Sequence, residues 1–259
     1  METYALWEKT PGLCEERPVL EFYPAQEKKS DATVVILPGG GYCMRAPHEG
    51  KGYAELLNRF GYHAFVCEYR VHPHTFPLPL LDARRALRYV RAHAADFGID
   101  RNKIAVMGSS AGGHLAALLS TYRDPLLYEG DALDREDFMP NATILCYPVI
   151  WEPDRTAIAH EGSYNALLGD GGERLRALVN PARLVTPQTP TAFIWHTSDD
   201  AGVNVCNSLK YGEALRQNGI PFELHVFPNG RHGLGVAEGL PHVAQWTGLL
   251  QNWLRELFD

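Results

Sequence analysis

Three things are scarce in this chain of 259 residues. Cysteine occurs five times, at positions 14, 43, 67, 146 and 206, odd in number and never as a Cys-x-x-Cys pair. A dense disulfide framework and a clustered thiolate metal site are thereby excluded, and reduced, mostly buried thiols of a cytoplasmic protein are the simplest reading. Apolar runs are no longer than a strand, which predicts no transmembrane helix and no membrane partner. Positive charge is also short: 24 Lys and Arg face 31 Asp and Glu, for a formal net charge of −7. A phosphate backbone is repelled on average by such a surface, so nucleic acid is not an expected partner. The opening stretch METYALWEKTPG is acidic and mixed, without the basic start or apolar core of a leader peptide.

What is present is a full apolar complement, 45% hydrophobic against 21% charged, enough to bury a large core. Short β-branched or aromatic runs alternate with helical patterns. TVVILP (33–38), HAFVCEYR (63–70), KIAVMG (103–108), ATILCYP (142–148), TAFIWHT (191–197) and FELHVF (222–227) read as strands. Residues 54–62, 80–98, 111–122, 205–219 and 243–257 read as helices, the second with arginines covering much of its outer surface. Near-continuous apolar strands alternating with helices predict an α/β fold with a mostly parallel central sheet covered on both faces. No Ser/Gly linker or internal repeat divides the chain, so a single domain over 1–259 is expected. Residues 149–189 break the rhythm with prolines, glycines and short helical pieces, and are expected to form a small insertion lining a pocket.

The stretch VMGSSAGGHLA (106–116) sets two serines between glycines, after a strand and before a helix. A nucleophile elbow turns sharply at its serine, and strand and helix then pass so closely that positions two before and two after must be small. Ser110 has Gly108 and Gly112 there, whereas Ser109 would have Met107 and Ala111. Ser110 is the candidate nucleophile. A serine hydroxyl is barely acidic in neutral water and needs a base. Among the downstream histidines, His225 lies inside a strand and His242 opens the last helix, while His232 sits in the loop FPNGRHGLG just after a strand. His232 is the candidate base. An acid is expected after TAFIWHT, where Asp199 and Asp200 stand side by side, and spacing alone leaves both open. PGGGY (38–42) after the first central strand, with the amide of Ala111, offers backbone N–H donors for an oxyanion.

Together these stretches resemble the α/β-hydrolase superfamily, and within it the compact esterases related to carbohydrate acetylesterases, acetyl xylan esterases and hormone-sensitive-lipase-like enzymes. The similarity runs through LW..TPG, PGGGY with HEG at 48–50, the EYR strand end, GSSAGGHLA, YP at 147–148, WHTSDD, NSLKYGEAL and GRHG. In that family a valine–proline pair often follows the acid at a fixed interval. Here Val203-Asn204 corresponds, which selects Asp200, with the proline replaced. The lipase-like relatives carry histidine before the three glycines where this chain has Pro38, and the resemblance transfers the donor role to Gly40 and Gly41. It also implies that Tyr42 lines an acyl pocket and that His114 is structural.

The expected activity is a serine esterase on a small-molecule or oligosaccharide ester, acetyl first, acting through Ser110, His232 and Asp200 without metal or organic cofactor. His72 and His74, in HPH, have no third ligand indicated and read as loop histidines. Trp7, Tyr42, Trp151 and Tyr164 are the rings considered for sugar contact, though aromatics of an α/β core usually only pack. The rival readings are a peptidase or amidase of prolyl-oligopeptidase-like type, and a non-catalytic binding protein on a hydrolase scaffold.

Overall fold

All five residues of TVVIL at 33–37 and all six of IAVMGS at 104–109 are buried, as strands enclosed on both faces require. The computed structural model describes residues 2–12, 16–128, 130–151, 157–169 and 172–259. Its strands are β1 (Glu2–Ala5), β2 (Val19–Tyr23), β3 (Thr33–Leu37), β4 (His63–Glu68), β5 (Ile104–Ser109), β6 (Ala142–Cys146), β7 (Thr191–Thr197) and β8 (Phe222–Phe227). They form one sheet in the order β1-β2-β4-β3-β5-β6-β7-β8. β2 runs antiparallel to both neighbours, and every pairing from β4 through β8 is parallel.

The helices are α1 (Pro47–Phe60), α2 (Leu78–Ala92), α3 (Ser110–Thr121), α4 (Glu161–Leu168), α5 (Cys206–Gln217) and α6 (Pro241–Phe258). Alternation along β3 distributes them. Val35 and Leu37 face a core shared with Leu87 of α2, Leu115 of α3 and Tyr211 of α5. Val34 and Ile36 face the opposite core, with Tyr53 and Leu57 of α1 and Trp246 and Leu250 of α6. Each such large apolar side chain contributes about 1.5–3 kcal/mol on burial, which ties both helical layers to the sheet.

Three features depart from the sequence-based expectations. β1 and β2 were not expected: ETYA is almost wholly exposed, so an edge strand of this kind leaves no apolar alternation to read. α1 begins at Pro47, seven residues before the apolar run that suggested it, with proline in its first turn. The arginines of α2 are not a solvated face. Arg84, Arg85 and Arg91 are buried, donating to the carbonyls of Tyr122, Leu6 and Met139 respectively, while Arg85 also pairs with Asp131. Their guanidinium forks satisfy carbonyls just after α3, just after β1 and ahead of β6 that the fold brings against the helix.

Among the described residues Cys43, Cys67, Cys146 and Cys206 are free thiols. Cys14 lies outside the described residues. No helix among them is long and apolar enough to cross a membrane.

Candidate active site

Because β3, β5, β7 and β8 are parallel, the segments leaving their C-terminal ends emerge along one rim of the sheet, where ligand sites of open α/β sheets lie. Those segments are the PGGGY loop, the elbow, the Ser-Asp-Asp turn and the histidine loop.

At the elbow, Ser110 takes φ +51° and starts α3 directly from β5. A side chain at 108 would strike the carbonyl of Gly112, and one at 112 would strike the carbonyl of Leu37. The two glycines are therefore demanded by strand–helix contact, and a left-handed serine is tolerated because its surroundings fix it. The Ser110 carbonyl accepts the Val149 amide at 3.0 Å, which ties the turn to the next strand's end.

Ser110 Oγ lies 2.8 Å from His232 Nε2. His232 Nδ1 lies 2.8 Å from Asp200 Oδ2. Asp200 Oδ1 accepts the amides of Gly202 and Val203 at 2.8 and 2.9 Å, and His196 Nε2 stands 3.4 Å from Oδ2. Burial alone would raise the Asp200 pKa, but hydrogen bonds from His196, His232 and the Val203 amide hold the carboxyl well below the usual carboxylate range. It is an anion pointed at an imidazole. Asp199 faces elsewhere: it is exposed and accepts the Gly230 amide at 2.7 Å, bracing the histidine loop without touching the ring.

A family model, BD-FAE, matches residues 20–215. The chain belongs to this family of α/β hydrolases. It is 33% identical over 239 residues to an acetylxylan esterase of Xylanibacter ruminicola, covering 89% of this chain and 47% of that one. It is 37% identical over 221 residues to endo-1,4-beta-xylanase B of Butyrivibrio fibrisolvens, covering 83% of this chain and 34% of that one. The chain thus spans less than half the length of these curated relatives. Among solved structures it is similar to an acetyl ester-xyloside bifunctional hydrolase from Caldicellulosiruptor lactoaceticus, with a TM-score of 0.92, 42% identity, and coverage of 99% of this chain and 96% of that one. The propionate-bound esterase Est2 of Thermogutta terrifontis gives a TM-score of 0.81 at 26% identity, over 99% of this chain and 94% of that one.

The glycine loop of this BD-FAE chain has an internal division of labour. The Gly39 amide donates to Glu49 Oε2 at 2.9 Å, and Gly40 and Gly41 follow with φ of +131° and +65°. A side chain at 40 would run into the Met44 carbonyl. Ala111 contributes a first-turn amide of α3, at the end of the helix that favours negative charge.

The rings proposed for substrate contact divide differently from expectation. Tyr42 and Tyr164 are each 1% exposed, which corrects the idea that they offer open faces to a sugar. The Tyr42 hydroxyl donates to His114 Nδ1 at 2.7 Å, and His114 Nε2 donates to the Val179 carbonyl at 2.7 Å. Burial pushes the His114 pKa down to about 4, so this histidine is a neutral core bridge between the glycine loop and the 149–189 segment. Tyr164 donates to the Ile150 carbonyl at 2.9 Å and packs edge-on against His114. Trp7 is likewise a core ring, bonded to Asp82 at 2.8 Å. Trp151 alone of the four stays half-buried, with Lys210 Nζ 4.2 Å from its ring centroid. His72 is exposed, and His74 pairs with Glu16 at 3.3 Å.

The sequence reading missed four neighbours. His160, in the 149–189 segment, is half-buried and caps α4 through Nδ1, which accepts the Ser163 amide at 3.2 Å; its pKa is lowered by burial and then by the charge of His232. Gly202 leaves room for His232, since a Cβ there would stand 2.7 Å from the His232 Cβ. His196 backs Asp200, and Tyr147 packs edge-on to His232 with centroids 5.2 Å apart. HTSDD and YP marked two of these positions, but nothing local says which way a side chain on a strand end will turn.

Proposed function

We propose that this chain is a serine esterase that removes short acyl groups, acetyl first, from carbohydrate esters. The observation that carries the reading is the unbroken hydrogen-bonded line from Ser110 through His232 to an ionised Asp200. In this reading His232 Nε2 takes the Ser110 proton as Oγ attacks the ester carbonyl. Asp200 holds the Nδ1–H tautomer and stabilises the imidazolium that forms. The amides of Gly40, Gly41 and Ala111 receive the oxyanion, each such donor contributing about 3 kcal/mol of transition-state stabilisation. His232 then protonates the departing alcohol, and water admitted on the same face cleaves the acyl-serine by the reverse proton path.

The acyl preference is supported by the burial of Tyr42 and Tyr164, neither of which offers an exposed ring face to a long chain at the glycine loop. It is also supported by the acetylxylan esterase relative and by the propionate held in a structural neighbour. A carbohydrate leaving group rests on the same relative and on the acetyl ester-xyloside hydrolase.

Fluorophosphonate labelling and ester turnover test the reading together. The folded protein is expected to take one adduct, on Ser110, and to release acetate from acetylated xylo-oligosaccharides; Ser110→Ala should keep the fold and lose both. Labelling of the alanine variant, or its undiminished turnover, refutes the nucleophile. Cleavage of peptide anilides without ester turnover would move the protein to the peptidase class. Preference for octanoyl over acetyl nitrophenyl esters would defeat the short-acyl assignment.

A further inference from the structure

Beneath the rim lies a buried carboxylate that the proposed chemistry does not use. Glu49, in the first turn of α1, is 3% exposed. No lysine or arginine pairs with it among the described residues; His48 Nε2 stands 3.8 Å from Oε1 and itself bonds the Gly233 carbonyl at 3.1 Å. A buried carboxyl group with no lysine or arginine beside it is costly unless hydrogen bonds hold it, so its presence here calls for a reason.

Its partners supply one. Oε2 accepts the Gly39 amide at 2.9 Å, the first amide of the glycine loop. Gly39 must be glycine for this, since any Cβ there would meet that same oxygen. Oε1 accepts the Tyr147 hydroxyl at 2.7 Å. Tyr147 Oη in turn accepts the Gly235 amide, from the histidine loop, at 2.9 Å and lies 3.0 Å from Tyr53 Oη. Ser109 Oγ, the residue before the candidate nucleophile, donates to Tyr53 Oη at 2.8 Å.

The direction of the whole chain follows from chemistry. Tyr147 gives its single proton to Glu49 Oε1 and so can only accept from its other hydroxyl neighbour. Tyr53 must then donate to Tyr147, and Ser109 to Tyr53. Three hydroxyls point one way and end on Glu49, and the two loop amides join from the sides. Burial raises the Tyr147 and Tyr53 pKa values far above the phenol range, so both protons stay in place. Tyr147 reaches this position with φ +37°, a strained backbone for a bulky residue.

We infer that Glu49 is a positioning residue: through one carboxylate it fixes the glycine loop, the histidine loop and the elbow relative to one another, so that oxyanion donors, base and nucleophile are held in register before substrate arrives. This rests on the Ser110–His232 reading above. Preorganised donors act on the transition state more than on the bound ester, so the loss should appear in kcat and leave KM little changed.

The test is steady-state hydrolysis of p-nitrophenyl acetate by wild type, Glu49→Ala, Glu49→Gln, Tyr147→Phe and the Glu49→Ala/Tyr147→Phe double variant, with Ser110→Ala as the control. Glu49→Ala orphans two loop donors and is expected to lower kcat about tenfold or more, with KM within about threefold. Glu49→Gln lets the hydroxyl chain reverse, its carbonyl keeping Gly39 and its amide donating to Tyr147; it should retain about a third of kcat or better. Tyr147→Phe removes one oxygen without opening a cavity and should lower kcat about fivefold or more. The double variant should lose no more than the worse single, because both cut one chain.

A Glu49→Ala kcat within about twofold of wild type overturns the inference, as does a loss expressed in KM alone or multiplication of the two single losses. If Glu49→Ala does not fold, Tyr147→Phe decides: a kcat within about twofold of wild type overturns it. Absence of turnover in wild type itself would instead overturn the esterase reading, and the two failures are thereby distinct.

Discussion

Replacing Asp200 by asparagine separates the two neighbouring acids by proton bookkeeping. Asp200 Oδ1 accepts two amides, from Gly202 and Val203, at 2.8 and 2.9 Å. An asparagine cannot turn its NH2 toward two N–H donors, so its carbonyl must occupy the Oδ1 site. The NH2 is then forced onto His232 Nδ1, which has to become an acceptor. The ring proton moves to Nε2, the nitrogen 2.8 Å from Ser110 Oγ, and the base can no longer take the serine proton. Loss of the tautomer together with loss of the charge that stabilises the imidazolium costs about 10⁴ in kcat in the serine-protease case of the same geometry. We expect a fall of about 10³–10⁴ in kcat for p-nitrophenyl acetate at neutral pH, with a fold unchanged by circular dichroism. Asp199→Asn keeps its carbonyl on the Gly230 amide and should stay within about threefold of wild type. A larger loss from Asp199→Asn than from Asp200→Asn refutes the assignment. An Asp200→Asn variant within about tenfold of wild type refutes the tautomer argument itself.

Gly112→Ala should destabilise by about 3 kcal/mol or more, because its methyl meets the Leu37 and Pro38 carbonyls; thermal melting should show a Tm at least about 6 °C lower, and a shift under about 2 °C contradicts the elbow packing. His114 gives a pH signature: its pKa falls from 6.5 to about 4 on folding, so below 6.5 the unfolded chain binds a proton that the folded one refuses. Stability contributed by the neutral ring is therefore lost as pH falls from 6.5 toward 4, by about 3 kcal/mol in all. Urea unfolding at several pH values should show His114→Gln less acid-sensitive than wild type by that amount, and parallel pH profiles would refute the buried-neutral assignment. Trp151→Ala should raise KM for acetylated xylo-oligosaccharides about fivefold while leaving p-nitrophenyl acetate unchanged, if this half-buried ring meets the sugar; equal effects on both substrates would return it to packing.

What could be read from the chain without coordinates was whatever short-range sterics dictate. Gly108 and Gly112 flank Ser110 because a strand and a helix cannot cross so closely otherwise, and that constraint is written in five adjacent residues. Strands were legible for a similar reason: TAFIWHT, buried, and FELHVF, half-buried at the sheet edge, are β-branched and aromatic runs whose ends match the observed strands residue for residue. What only the tertiary structure decided is the facing of side chains whose partners lie far along the sequence. Asp199 and Asp200 differ by one position, yet one braces Gly230 and the other meets His232, because the turn after β7 points them apart. The arginines of α2 pattern like a solvated surface and are buried, since the carbonyls and carboxylate they satisfy belong to loops brought beneath the helix by the sheet. Tyr42 and Tyr164 turn inward toward His114, and Glu49 joins three loops that lie as much as 186 positions away in sequence, from residue 49 to Gly235. Local sequence sets what backbone each segment can adopt; which polar atoms then face one another is a property of the packed sheet, where leaving any of them unpaired is too costly for the fold to permit.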